Sequence, residues 1–89
     1  MEYTQGQVVY SKSGRDKTMP FVVLLVDGDY LYLADGKLRT IEHPKKKKIK
    51  HVQKTNYICH EIKEKLESKS YLLNADISKV LKEFKPKEN

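Results

Sequence analysis

Two Asp-Gly pairs, Asp27-Gly28 and Asp35-Gly36, bracket the short run Tyr30–Ala34. Asp-Gly is a strong hairpin signal. A two-residue hairpin turn needs positive φ, which glycine adopts freely and aspartate tolerates. Before the first pair stands Phe21–Val26, six β-formers preceded by Pro20, and the second pair leads into Lys37–Glu42. Short runs joined by such turns describe an antiparallel meander. Upstream, Gln7–Lys12 is a further β-rich run, bounded by Gly6 and Ser13-Gly14. Phe21–Val26 is apolar at both parities, so its strand is expected at the centre of the sheet, covered on both faces. In Tyr30-Leu31-Tyr32-Leu33 the aliphatic parity, Leu31 and Leu33, is expected to point inward.

The second half changes period. Thr55 or Asn56 caps an expected helix in which Ile58, Ile62 and Leu66 recur every four residues. Glu61 and Lys65 are spaced to pair on its outer face. Asn74-Ala75-Asp76 reads as a cap with an acidic first turn. Ile77, Val80, Leu81 and Phe84 follow at helical spacing, and Pro86 ends the element. Both apolar stripes need cover, and the sheet supplies it. Residues 85–89 are expected to fray. The predicted fold class is mainly β: a small SH3-like bent sheet or barrel of about five strands with two short C-terminal helices. Residues 1–54 form the β domain, and residues 55–89 a helical extension packed on it.

Charge is concentrated. Residues 37–54 carry Lys37, Arg39, Lys45, Lys46, Lys47, Lys48, Lys50 and Lys54 against Glu42 alone, a net of +7 in a chain whose total is +6. Localised positive charge suits a polyanion-binding surface, whereas charge for solubility alone would be spread. Lys45–Lys48 follows Pro44 in mid-chain, between the expected strand 37–42 and Ile49–Val52, which fits a last strand. Four lysines in a strand would point alternately to both faces, so this run is expected as a loop or an exposed edge. Three roles compete for it. Edge strands are guarded by lysine against mispairing, a Pro-Lys-rich run resembles a nuclear address, and clustered ammonium groups neutralise phosphates with release of counterions. The third is favoured, because edge protection seldom needs so many like charges in a row. Lysine is a point charge, so such a patch positions backbone without reading sequence. A second polar loop, Ser13-Gly14-Arg15-Asp16-Lys17, lies between two strands. Arg15 is its residue best suited to a phosphate fork.

Other chemistries find little support. His43, His51, Cys59 and His60 fit no compact zinc spacing, so no metal or other cofactor is expected. Cys59 beside His60 is a chance neighbour more often than a nucleophile pair, and no enzyme activity or small-molecule substrate is expected. Tyr10, Tyr30 and Tyr32 could stack bases, although cross-strand packing is the commoner use of tyrosine in a small sheet. A single cysteine fits a reducing compartment. MEYTQGQ lacks the basic and apolar blocks of a secretory signal, and no run reaches the roughly 20 residues that span a bilayer. The expectation is a cytoplasmic protein with no membrane partner.

The stretch from Gly6 to Lys54 resembles the KOW domain. More narrowly, it is similar to small RNA-binding proteins related to the fourteen-e type of large-subunit ribosomal protein. The resemblance is carried by Val8 and Val9, the motif glycine Gly14 with Arg15 and Lys17 beside it, the Phe21–Val26 run, the turn Asp35-Gly36-Lys37-Leu38-Arg39, and the Pro44-led lysines. Asn74-Ala75-Asp76-Ile77 is similar to the closing helix of those proteins. The resemblance implies an SH3-like barrel that binds RNA, commonly ribosomal, by the loop around the motif glycine. Carried over by position, the RNA-facing set is Ser13, Gly14, Arg15 and Lys17 with Lys37 and Arg39, to which the lysine run adds Lys45, Lys46, Lys47, Lys48 and Lys50. One position departs: the family carries a second glycine just after the lysine, where this chain has Thr18. The expected partners are RNA, ribosomal in the first instance, and ribosomal proteins. The alternative is a protein-interaction module of the KOW/SH3 type acting in transcription or translation.

Overall fold

A computed structural model of the chain describes residues 2–86. Residues 87–89, part of the segment expected to fray, lie outside the described residues. The strands are β1 (Gln7–Ser11), β2 (Pro20–Asp27), β3 (Tyr30–Ala34), β4 (Lys45–Lys48) and β5 (Val52–Ile58). A 3₁₀ turn at Ile49–His51 joins the last two strands, and the helices α1 (His60–Glu67) and α2 (Asn74–Leu81) follow. The five strands form one sheet in the order β4-β3-β2-β1-β5, with every pair antiparallel. This is a mainly β, SH3-like sheet with two short C-terminal helices, as the Asp-Gly turns and the change of period predict.

The sheet is covered on both faces. Val9, Phe21, Val23, Leu31, Leu33 and Val52 fill the concave side. Val8, Val22, Leu24 and Ala34 on the other side pack against Cys59, Ile62, Ile77 and Leu81. Leu31 and Leu33 are fully buried, and Phe21 to Leu24 are buried at both parities. Burying a Leu or Phe side chain stabilises by about 2 kcal/mol, so these two apolar layers hold the fold. A register shift between Val23 and Leu25 marks a bulge in β2, and such bulges bend a strand and increase its twist.

Three sequence expectations are corrected. Lys37–Glu42 is a loop, not a strand, because its backbone amides are bonded elsewhere. Asp35 Oδ1 accepts from the N–H groups of Lys37 and Arg39, each at 2.8 Å. Asn74 Oδ1 accepts from that of Ile41, also at 2.8 Å. Ile49–Val52 is not a last strand as a unit: Ile49–His51 turns, and β5 begins at Val52. No helix starts at Thr55 or Asn56. Both residues extend β5, where Gln7 Nε2 donates to the Thr55 carbonyl at 2.8 Å, and α1 begins at His60. Ile62 is nonetheless buried and Leu66 packs beside it.

The helices are tied to each other and to the sheet. Lys65, spaced to pair with Glu61, instead lies 3.7 Å from Asp76 on α2. Asp76 Oδ2 accepts from the Leu73 N–H at 3.0 Å, so Asp76 caps α2. Asn74, expected to cap, instead holds the 35–44 loop. Gly36 has φ +82, and a Cβ there would strike the Asn74 carbonyl and come within 2.9 Å of the Ser78 nitrogen. Only glycine lets the turn close on α2 in this way. No helix among the described residues is long and apolar enough to cross a membrane.

Candidate nucleic-acid interface

The four lysines in a row form β4, an edge strand paired with β3. Alternation therefore sends them to opposite faces. Leu31 faces Lys47 and Leu33 faces Lys45 across the ladder, while Tyr30 faces Lys48 and Tyr32 faces Lys46. Lys45 and Lys47 thus lie on the concave, apolar side, where Lys47 is only 7% exposed.

A buried ammonium needs a partner, and Asp16 provides it. Lys47 Nζ lies 3.0 Å from Asp16 Oδ1 and donates to the Ser13 carbonyl at 2.8 Å. Lys45 Nζ lies 2.8 Å from Asp16 Oδ2. Ser11 Oγ donates to Asp16 Oδ1 at 2.6 Å. Burial pushes the Asp16 carboxyl up, but the bonds from Lys45, Ser11 and Lys47 outweigh it and hold the pKa at about 2. In a flat sheet β1 and β4 would stand on the order of 14 Å apart. The contact between the β1–β2 loop and β4 therefore depends on the curl of the sheet.

The opposite parity is differently placed. Lys46 Nζ stands 4.6 Å from the Tyr30 ring centroid and 5.8 Å from that of Tyr32. Lys48 Nζ stands 5.8 Å from Tyr30. Both lysines are exposed. The rings carry ammonium groups of the same sheet, the cross-strand use of tyrosine. Lys50, in the 3₁₀ turn, is also exposed.

The β1–β2 loop turns on Gly14, with φ +84, and on Thr18, with φ +74. The position where the resembled family carries a second glycine thus adopts the conformation that glycine favours, in a β-branched residue that resists it. Ser13 is half-buried, its carbonyl accepting from Lys47 Nζ. Gly14, Arg15 and Lys17 are exposed. Across from this loop, the turn organised by Asp35 presents Lys37, Leu38 and Arg39 to solvent, Leu38 at 90% exposure.

The two segments meet. Arg15 and Met19 from the first, and Leu38 and Arg39 from the second, line one depression of about 460 Å³ floored by Phe21 and edged by Lys45. Its two acids are already engaged. Asp16 is bonded to Lys45 and Lys47, and Asp35 accepts from its own turn. Glu42, the single acid within 37–54, is held below its ordinary pKa, first of all by the Asn74 amide that donates to it at 3.0 Å.

No family model matches the chain, and no curated protein matches it.

Of the residues singled out in the sequence, Arg15 and Arg39 line one depression, with Gly14, Lys17 and Lys37 on the flanking turns. Lys46, Lys48 and Lys50 form a second group on the β4 edge. Lys45 and Lys47 act first as structural cations. Asp16 and Leu38 lie inside the two stretches singled out in the sequence but have no role assigned there, and Met19 is not singled out. A lone acid inside a basic loop was the available sign of Asp16, and nothing in the local sequence marks which lysines it selects.

Proposed function

We propose that the protein is a non-enzymatic RNA-binding module, associated with the ribosome, that grips phosphate backbone through the β1–β2 loop and the 35–39 turn. Arg15, Lys17, Lys37 and Arg39 make the central contacts, and Lys46, Lys48 and Lys50 extend the positive field along the β4 edge. One observation carries the reading: Arg15 and Arg39, from separate segments, line the same depression. The two carboxylates that line it, Asp16 and Asp35, are hydrogen-bonded within the protein. Arginine forks match phosphate oxygens, and lysines nearby raise local affinity without sequence choice. The KOW resemblance points to the same loop.

Crosslinking in cells followed by sequencing of the bound RNA tests this. Ribosomal RNA is expected, recovered less by an Arg15→Ala/Arg39→Ala variant. Recovery of no RNA above background would overturn the reading. A protein-interaction module is the second reading, favoured by Leu38 and Met19, which are 90% and 42% exposed on the same depression. In that case a protein partner would be captured equally well after nuclease treatment and at raised salt.

A further inference from the structure

The depression between the β1–β2 loop and the 35–39 turn has an apolar wall that phosphate binding does not use. Met19 and Leu38 form that wall, and Phe21 lies beneath it. The backbone on both sides of Leu38 is fixed by hydrogen bonds. The amides on either side of it, Lys37 N–H and Arg39 N–H, both bond Asp35 Oδ1 at 2.8 Å, and Asp35 N–H returns a bond to the Arg39 carbonyl. The turn therefore fixes the backbone that presents Leu38 to water at 90% exposure, where the fold gains little from it. Its volume of about 460 Å³ falls within the range of small-ligand sites.

We propose that this depression holds one unpaired nucleotide of a single-stranded RNA segment, its base against Met19 and Leu38 and its phosphate between Arg15 and Arg39. The proposal rests on the RNA-binding reading and narrows it. An apolar surface packs the face of any base, which is sequence-tolerant, and guanidinium planes can both stack and fork a phosphate. A-form duplex RNA keeps its bases stacked inside, so it can offer this site only backbone and would leave the apolar wall idle. Arg15, Arg39 and Lys45 outnumber Asp16 and Asp35 around the depression, and Asp16 is paired with Lys45 and Lys47, which suits an anionic occupant that has an apolar face.

The test uses the full chain, with a single-stranded uridine hexamer, a blunt RNA duplex of about 12 base pairs and an acidic peptide containing leucine as probes. The readouts are affinity at low salt and the methyl NMR signals of Met19 and Leu38. Wild type is expected to prefer the hexamer, which shifts both methyl signals. Leu38→Ser, at an exposed position, keeps Tm unchanged, lowers hexamer affinity about fivefold and leaves duplex affinity within about twofold. Equal loss for hexamer and duplex, or hexamer binding that leaves both methyl signals unmoved, overturns the nucleotide site while leaving RNA binding standing. Methyl shifts with the peptide but not with the hexamer also overturn it. Failure of wild type to bind either RNA overturns the broader reading together with this one.

Discussion

Lys47 Nζ and Asp16 Oδ1 stand 3.0 Å apart although 31 residues separate them in the chain. The pair joins the edge strand β4 to the β1–β2 loop, whose Arg15 lines the same depression as Arg39. Asp16, which lines the depression with Lys45, is thus held by both lysines at once.

The two partners are not equivalent. Asp16→Ala leaves the Lys47 ammonium, 7% exposed, without a counter-ion, and should destabilise by about 3 kcal/mol. Lys47→Met removes the buried charge, fills similar space and leaves Asp16 with Lys45 and Ser11, so it should cost less than about 1 kcal/mol. Urea unfolding of both variants checks the asymmetry, and equal losses would contradict it.

Acid should weaken the fold through this carboxylate. Asp16 is held at about 2, below its ordinary 3.8. The unfolded chain therefore takes up the proton first as pH falls. The stabilisation is complete above pH 4 and declines toward pH 2, by about 2 kcal/mol. Stability of wild type measured against Asp16→Asn over that window should converge as pH falls.

Thr18 sits at φ +74, where a non-glycine residue costs about 1 kcal/mol or more. Thr18→Gly relieves that strain but adds about 0.4–1 kcal/mol of unfolded-chain entropy, so it should raise Tm by about 2 °C. A drop in Tm would mean that contacts of the threonine side chain outweigh its backbone strain.

Lysine substitutions should separate by parity. Lys46→Ala/Lys48→Ala removes two exposed charges and should lower RNA affinity several-fold with little effect on Tm. Lys45→Ala/Lys47→Ala strips Asp16 of both ammonium partners and should lower Tm first. Measuring affinity and Tm together on both double variants distinguishes the two groups. A replacement of all four would confuse them.

These assignments also show what could be read from the chain. The Asp27-Gly28 turn and the doubly apolar Phe21–Val26 run announce the β2–β3 hairpin, because both signals are local and concern backbone and burial directly, whereas Asp35-Gly36 opens a loop. The edge position of the lysine run was legible, but the burial of Lys47 was not. Its inward parity is tolerated only because Asp16, remote in sequence, meets it in the folded sheet. The 37–42 run has strand-like residues, but Asp35 and Asn74 take the amides a ladder would need. Thr55 and Asn56 have capping chemistry, and tertiary pairing with β1 overrides it. Within the candidate site, the basic residues were visible from composition, while Met19 and Leu38 acquire meaning only through the surface they share.

The slope of log affinity against log salt for a single-stranded RNA tests the central claim most directly. Four phosphate contacts, by Arg15, Lys17, Lys37 and Arg39, predict a slope of about −3 and a loss on the order of fiftyfold between 50 and 200 mM salt. Replacing Arg15 and Arg39 by alanine should flatten the slope by about 1.4. An affinity that ignores salt, or a slope the arginine variant leaves unchanged, would contradict it.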